Sequence, residues 1–319
     1  MRPEMKIVFE ERMKKLLPNG DDFARYNEIV HIKPLNYIRC NTLKISSDVL
    51  FSRLRKRWNV VKPFEKHPEI MLVDQQLKPG ELGNAIEHLL GYYYIQEVCS
   101  MMSVIALEPR PGERVLDVCA SPGSKTTQIA STMNNTGTLI ANDVKLDRLK
   151  ILAANLERCG VMNYVAIRND GVGLCQRLAE NKFKFDKILL DAPCSGEGTL
   201  RSSPKTFLMW NLKVVQKLSR EQKKLIANAI KCLKVGGVLV YSTCTHAPEE
   251  NEDVVNFALK NFPVSLEKVH LPLKCRPGVT SWEGDMYSDE MVKCARIYPQ
   301  DNDSEGFFVA KLKLMEEVE

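Results

Sequence analysis

The stretch RVLDVCASPGSKTTQ, residues 114–128, sets an apolar run against a Pro-Gly turn and then a polar, helix-favouring segment. That order predicts a buried strand over Arg114–Cys119, a tight turn, and a helix from about Gly123 to Met133. The same unit recurs downstream. TLIAND (138–143) reads as a second strand. The helix after it shows Leu146, Leu149, Leu152, Ala153 and Leu156 on one face before Gly160 ends it. Tyr164–Asp170 and FDKILLD (185–191) supply strands three and four. After a long insertion a helix is expected over Ser219–Lys234, stopped by Gly236-Gly237, and then a fifth strand over Val238–Thr243. Pro248 is expected to open another helix, with Glu249, Glu250 and Glu252 in its first turn, where the dipole favours acids. Strand-like segments near Ser265–Val269 and Gly306–Leu312 finish the chain. This alternation predicts an α/β fold with a parallel, doubly wound sheet and ligands at the carboxyl ends of its strands. Residues 1–90 break the pattern. Short strands at Tyr37–Cys40 and Met71–Val73, with a helix around Ser47–Arg57, point to a small N-terminal α+β domain and a boundary between 80 and 100.

The 319 residues are 44% hydrophobic and 27% charged, which suits a globular protein and excludes disorder as a class. No apolar run approaches the roughly 18 residues of a membrane helix. The first ten residues carry four charges and no apolar core, so no signal peptide is expected and the cytoplasm is the expected location. Ten cysteines occur singly, without a C-x-x-C pair, and only five histidines accompany them. Neither a metal site nor a disulfide framework is expected from that spacing.

Net charge is only +5, but it is unevenly placed. Residues 1–90 hold 16 basic against 12 acidic side chains, and residues 201–224 hold seven basic against Glu221 alone. Two basic zones on an otherwise acidic body suit a polyanionic partner, namely RNA or DNA. Within the first zone, Arg53, Arg55, Lys56 and Arg57 lead to Trp58, an aromatic that could stack on a base.

The strand ends carry the candidate chemistry. Asp143 closes strand two, where a carboxylate can take the hydroxyls of a nucleoside ribose. Asp170 closes strand three and could meet an exocyclic amine, and Asp191 closes strand four. The turn Cys119-Ala120-Ser121-Pro122-Gly123-Ser124-Lys125 is not G-x-G-x-x-G, which counts against a nicotinamide cofactor. Lys125 lies in the first turn of its helix, where the dipole disfavours a cation, so a substrate-facing role is expected. Cys194 and Cys244 follow strands four and five, so the two thiols should share one cleft. A thiolate adds reversibly to an electron-poor ring carbon. Position alone does not say which cysteine attacks. Asp191 beside Cys194 would favour the thiol form there, and the helix expected at Pro248 would favour a thiolate at Cys244.

CASPGSKTTQ (119–128), DAPCSGEG (191–198) and STCT (242–245) together resemble the Sun (NOL/NOP/Sun) family of S-adenosylmethionine-dependent RNA cytosine-5 methyltransferases. RCNTLK (39–44), YIQEVCSMM (94–102) and EGFFVAKL (305–312) extend the resemblance from about residue 36 to the end. The family's Pro-Gly-Gly-Lys turn carries Ser124 here, and its histidine after the late proline is Gln300. The resemblance implies a Rossmann-like class I methyltransferase domain over 91–319 and an RNA-binding domain over 1–90. It implies Cys244 as the nucleophile at C6 of a flipped-out cytosine and Cys194 as the group that assists C5 proton loss and release. Asp191 and Lys125 would hold the base, and cofactor contacts would fall to residues 119–125, Asp143, Arg148, Asp170 and Asp191. tRNA is the expected substrate, with rRNA as the alternative. A non-catalytic RNA-binding assembly factor is the rival of another class. A monomer is expected.

Overall fold

The computed structural model describes residues 5–318. Helices α1 (Ile7–Leu16) and α2 (Gly20–Ile29) come first. A small unit follows: β1 (Asn36–Cys40), α3 (Ser47–Leu54), β2 (Val60–Val61), β3 (Ile70–Val73), α4 (Ile86–Leu89) and β4 (Tyr93–Ile95). α5 (Val98–Leu107) leads into β5 (Arg114–Asp117), α6 (Ser124–Thr132), β6 (Thr138–Asp143), α7 (Leu146–Cys159), β7 (Tyr164–Arg168), α8 (Gly171–Glu180) and β8 (Phe185–Asp191). An insertion holds α9 (Thr206–Met209). Then come α10 (Leu212–Ile230), β9 (Leu233–Thr243), α11 (Glu252–Asn261), β10 (Val264–Glu267) and β11 (Arg276–Pro277). The hairpin β12 (Ser281–Trp282) and β13 (Asp285–Met286), β14 (Ala295–Ile297), α12 (Pro299–Asn302) and β15 (Phe307–Leu314) complete the order.

The main sheet runs β11-β14-β15-β9-β8-β5-β6-β7, with β10 paired to β15. β9, β8, β5, β6 and β7 are mutually parallel, as the alternation predicts, and β15 adds antiparallel to β9. Val115, Leu116, Ile188, Leu189, Leu239 and Val240 are fully buried, because helices cover both faces of the sheet. One core layer takes Met101, Ile129 and Leu152 from α5, α6 and α7, and the other takes Leu174, Ile226 and Val254 from α8, α10 and α11. Strand order turns back at β5, with β6 and β7 on one side and β8 and β9 on the other. A crevice therefore opens at the carboxyl ends there.

Several expectations need correcting. β5 stops at Asp117, which leaves Cys119 in the turn, and β7 stops at Arg168. α10 starts at Leu212 rather than Ser219 and ends at Ile230. Gly236-Gly237 does not stop a helix. It lies inside β9, where Gly236 at φ +80 lets the strand bulge between its pairings with Phe185 and Lys187. Pro248 opens a turn, and α11 begins only at Glu252. The turn is held to β9 by its own bonds: Tyr241 Oη donates to the Glu250 carbonyl, and Asn251 Nδ2 donates to the Thr245 carbonyl at 3.0 Å.

The small sheet, ordered β2-β3-β1-β4, includes Tyr93–Ile95, a few residues beyond 90 and within the 80–100 span expected for the boundary. α1 and α2 do not join it. Phe9, Met13, Leu17 and Tyr26 pack instead on Leu200, Phe207 and Trp210 of the insertion and on Tyr298. Trp58 is buried in the core of the small unit and donates Nε1–H to Glu81 at 2.8 Å, so it presents no face to a base.

Arg296 and Glu252 form a fully buried ion pair, with Nε 2.6 Å from Oε1 and Arg296 Nη1 donating to the His246 carbonyl at 3.0 Å. Arg296→Leu strands the Glu252 carboxylate without its counter-charge, and we expect a loss of about 3–5 kcal/mol in urea unfolding.

Candidate active site

The carboxyl ends of β5, β6, β8 and β9 surround a cavity of about 750 Å³. Cys119, Ser121, Asp143, Arg148, Asp170, Asp191, Cys194 and Cys244 all line it. Ala120, Pro122, Gly123, Ser124 and Lys125 do not; they form the turn and first helical residues behind it. Ser124 turns its carbonyl away, toward Arg39 Nη1 of β1 at 2.7 Å, and the Pro122 carbonyl accepts from Asn155 Nδ2.

Asp191 sits opposite Ser242 in the β8–β9 pair and accepts its hydroxyl at 2.8 Å. The other carboxylate oxygen lies 2.8 Å from Lys125 Nζ, which also donates to Ser100 Oγ at 2.8 Å. Burial opposes the Lys125 charge, but Asp191 outweighs it and the net shift is upward, so the ammonium is retained. This ion pair accounts for a cation in the first turn of α6.

Three residues past Asp191 and two past Ser242 come the thiols, with Cys194 Sγ 3.1 Å from Cys244 Sγ. Cys194 is pushed up by its bond to Cys244, by burial, and by charge on Cys244 and Glu250. The carboxylate that disfavours its thiolate is therefore Glu250, not Asp191 as the sequence suggested. Glu250 Oε2 accepts from Ser195 N at 3.0 Å and Gln222 Nε2 at 2.9 Å, and burial raises its carboxyl to about 7. Ser195 Oγ meets Thr245 Oγ1 at 2.8 Å, which stitches the two cysteine loops together. Because α11 begins at Glu252, the helix end invoked for Cys244 lies eight residues away.

The loops also meet backbone to backbone. Gly198 N donates to the Cys244 carbonyl at 2.9 Å, and Gly306 N donates to the Gly198 carbonyl at 2.8 Å. A Cβ on Gly198 would lie 2.3 Å from the Gly306 carbonyl oxygen and 2.9 Å from that of Cys244. Gly198 of DAPCSGEG and Gly306 of EGFFVAKL are thus there for close approach.

On the β6 side, Asp143 is buried, with Oδ1 accepting Lys145 N at 2.9 Å and Oδ2 3.5 Å from Arg148 Nη1. Asp170 caps α8 through Oδ2 to Gly173 N at 2.9 Å, so one of its oxygens is already committed. Burial, and the charges of Asp117, Asp191 and Asp143, push the Cys119 thiol up and keep it neutral. Ser121 Oγ and Asn142 Oδ1 are buried without a hydrogen-bond partner. Nothing in the residue pattern marked Asn142, Gln222, Glu250 or Lys224 for this site. Only Ser242 was marked, by lying within STCT.

A family model described as 16S rRNA methyltransferase RsmB/F matches residues 104–313. The chain belongs to this family. It is 45% identical over 318 residues to the tRNA (cytosine(49)-C(5))-methyltransferase of Pyrococcus abyssi, covering 97% of this chain and 99% of that one. The ribosomal RNA small subunit methyltransferase F of Vibrio vulnificus (strain YJ016) is 40% identical, but this chain spans only 64% of its length. A methyltransferase homolog from Pyrococcus horikoshii superposes with a TM-score of 0.83 at 34% identity, covering 97% of this chain and 95% of that one. NSun6 from the same organism, solved with SFG, gives 0.82 at 26% identity, with coverage of 98% and 99%. The RsmB/F chain described here is thus a class I, S-adenosylmethionine-dependent methyltransferase. Its cavity fits that cofactor. Asp143 offers a buried carboxylate to a ribose, and Ser121 Oγ and Asn142 Oδ1 are buried polar atoms still lacking partners.

Gly198→Ala adds no functional group, yet it must part the Cys194 and Cys244 loops. We expect a loss of about 1–3 kcal/mol of stability and a lower kcat, with cofactor affinity by calorimetry unchanged.

Proposed function

We propose that this enzyme makes 5-methylcytosine in tRNA, with Cys244 as the nucleophile. It rests on the pair of thiols 3.1 Å apart beside the Asp191–Lys125 pair, with Asp191 and both cysteines lining the cavity. The higher identity to the relative named for tRNA, 45% against 40% for the one named for rRNA, favours tRNA over rRNA. Work as a monomer in the cytoplasm belongs to the same proposal; among the described residues no helix is long and apolar enough to cross a membrane.

Cys244 adds to C6 of the extruded cytosine, forming an S–C6 bond and moving the ring π pair toward N3 and O2 while C5 gains nucleophilic character. Asp191 accepts from the N4 amine, and the Lys125 ammonium beside it offsets the negative charge that develops on the ring. Both Asp191 oxygens retain a lone pair for this. S-adenosylmethionine supplies an electrophilic methyl group. Asp143 holds its ribose hydroxyls, and Ser121, Arg148 and Asp170 line the remainder of its site. After methyl transfer, C5 carries both methyl and hydrogen. With Cys244 bonded to C6, its charge no longer opposes ionisation of Cys194. Cys194 loses its proton to water and, as thiolate, takes the C5 proton; the C5–C6 double bond re-forms, and Cys244 leaves as thiolate. A Cys194 kept in its thiol form by Glu250 and Cys244 does not compete for C6.

Cys244→Ala should abolish both methylation and any covalent RNA adduct. Cys194→Ala should form the adduct and fail to resolve it, leaving a protein–RNA band on denaturing gels. A trapped complex with Cys244→Ala and none with Cys194→Ala would reverse the two roles. Full methylation by both variants would remove the thiols from the mechanism.

A further inference from the structure

Helix α10 carries Lys213, Lys217, Arg220 and Lys224, all exposed. At about 100° per residue these four fall within roughly 60° of arc, on the side away from the buried row Val215, Gln222, Ile226 and Ala229. Eleven residues at about 1.5 Å of rise give a stripe about 16 Å long. It is not self-neutralised. Its one acid, Glu221, pairs loosely with Lys217 at 3.7 Å, and the side chains of Lys213 and Lys224 have no partner among the described residues. The stripe also has a direction: Lys224 and Glu221 line the same cavity as Cys194 and Cys244. At its far end α9 leaves Leu208 and Met209 63% and 75% exposed, an apolar surface with two residues between it and the start of α10.

The other basic run is built differently. Arg53 is tied to Glu87 at 2.6 Å, Arg57 faces Glu81 at 3.8 Å and lies over Trp58, and Arg55 lies over Phe51. Arg201, counted with the second zone, is buried and bonded to the carbonyls of Ile32, Lys33 and Ser304.

We propose that the α10 stripe is the track that guides a single RNA strand into the cavity, its phosphates on Lys213, Lys217, Arg220 and Lys224. This rests on the RNA reading above and names its docking surface. About 16 Å spans several nucleotides at about 3.4 Å per step along a stacked strand. The Arg53–Arg57 run is mainly structural.

The test compares full-length Lys213→Glu/Lys217→Glu/Arg220→Glu with Arg53→Glu/Arg55→Glu/Arg57→Glu. Binding of a cytidine-containing single-stranded 20-mer and of a tRNA transcript is read by anisotropy across a salt series, and S-adenosylmethionine binding by calorimetry reports that each fold is intact. The α10 variant should lose at least tenfold in affinity for both RNAs, and its slope of log K against log salt should become shallower by about two. Its cofactor affinity should stay unchanged, and the arginine variant should lose less than threefold. Replacing the three α10 residues with Gln, which adds no new charge, should move affinity in the same direction. Unchanged affinity and slope in the α10 variants, beside a wild type that binds both RNAs, would overturn the track and leave the methyltransferase reading standing. A wild type that binds neither RNA would instead overturn the RNA reading, and the track with it.

Discussion

Asp191 lies opposite Ser242 in the parallel pair of β8 and β9, and the placement of the reactive groups follows from that register. Ser242 Oγ donates to Asp191, so one register contact orients the carboxylate that also pairs with Lys125. The chain then leaves each strand by a short loop, and the loops deliver Cys194 and Cys244 to within 3.1 Å of each other. A slip of one residue would turn every side chain of β9 to the opposite face and carry Ser242 away from Asp191. The Glu250, Gln222, Ser195 and Thr245 bonds and the Gly198–Gly306 contact lock the loops after the strands have placed them.

The small sheet reaches this arrangement through Arg39 of β1. Its guanidinium is buried and donates to the Ser124 carbonyl, Thr127 Oγ1 and Gln96, all neutral groups. Burial without a carboxylate contact pulls Arg39 down to about 10. A cation held this way is a costly choice for stability alone. What it does is clamp the first turn of α6, one residue before Lys125. The N-terminal unit thereby fixes the loop that holds the Asp191 partner, and the two units act as one support for the site.

The parallel core was legible because strands covered on both faces carry short apolar runs, ILL within FDKILLD and LIA within TLIAND, spaced by helical segments. The strand-end acids and thiols were legible because this architecture puts chemistry at those ends. Features decided by tertiary contact were not. Phe9, Met13 and Tyr26 in α1 and α2 find their partners in the insertion some two hundred residues on, so local pattern assigned the first ninety residues to a single domain. The solvent-facing lysines of α10 masked seven helical residues before Ser219. Gly236-Gly237 looks like a helix stop in one dimension and acts as a bulge once β8 lies beside it. The basic run ending at Trp58 could not reveal that Glu81 and Glu87 lay folded against it. Glu250 reads as a first-turn helix acid, and only the fold turns it toward Cys194.

In the proposed mechanism two thiols that lie side by side divide the chemistry between them. RNA carrying 5-fluorocytosine at the target position blocks the proton loss that releases the enzyme, so the covalent adduct accumulates on unmodified protein. Digesting that adduct and locating the nucleotide by mass spectrometry tests the assignment without any substitution. The peptide containing Cys244 should carry the methylated fluorocytosine and the peptide containing Cys194 should be free. A nucleotide found on Cys194, with Cys244 free, would contradict the account.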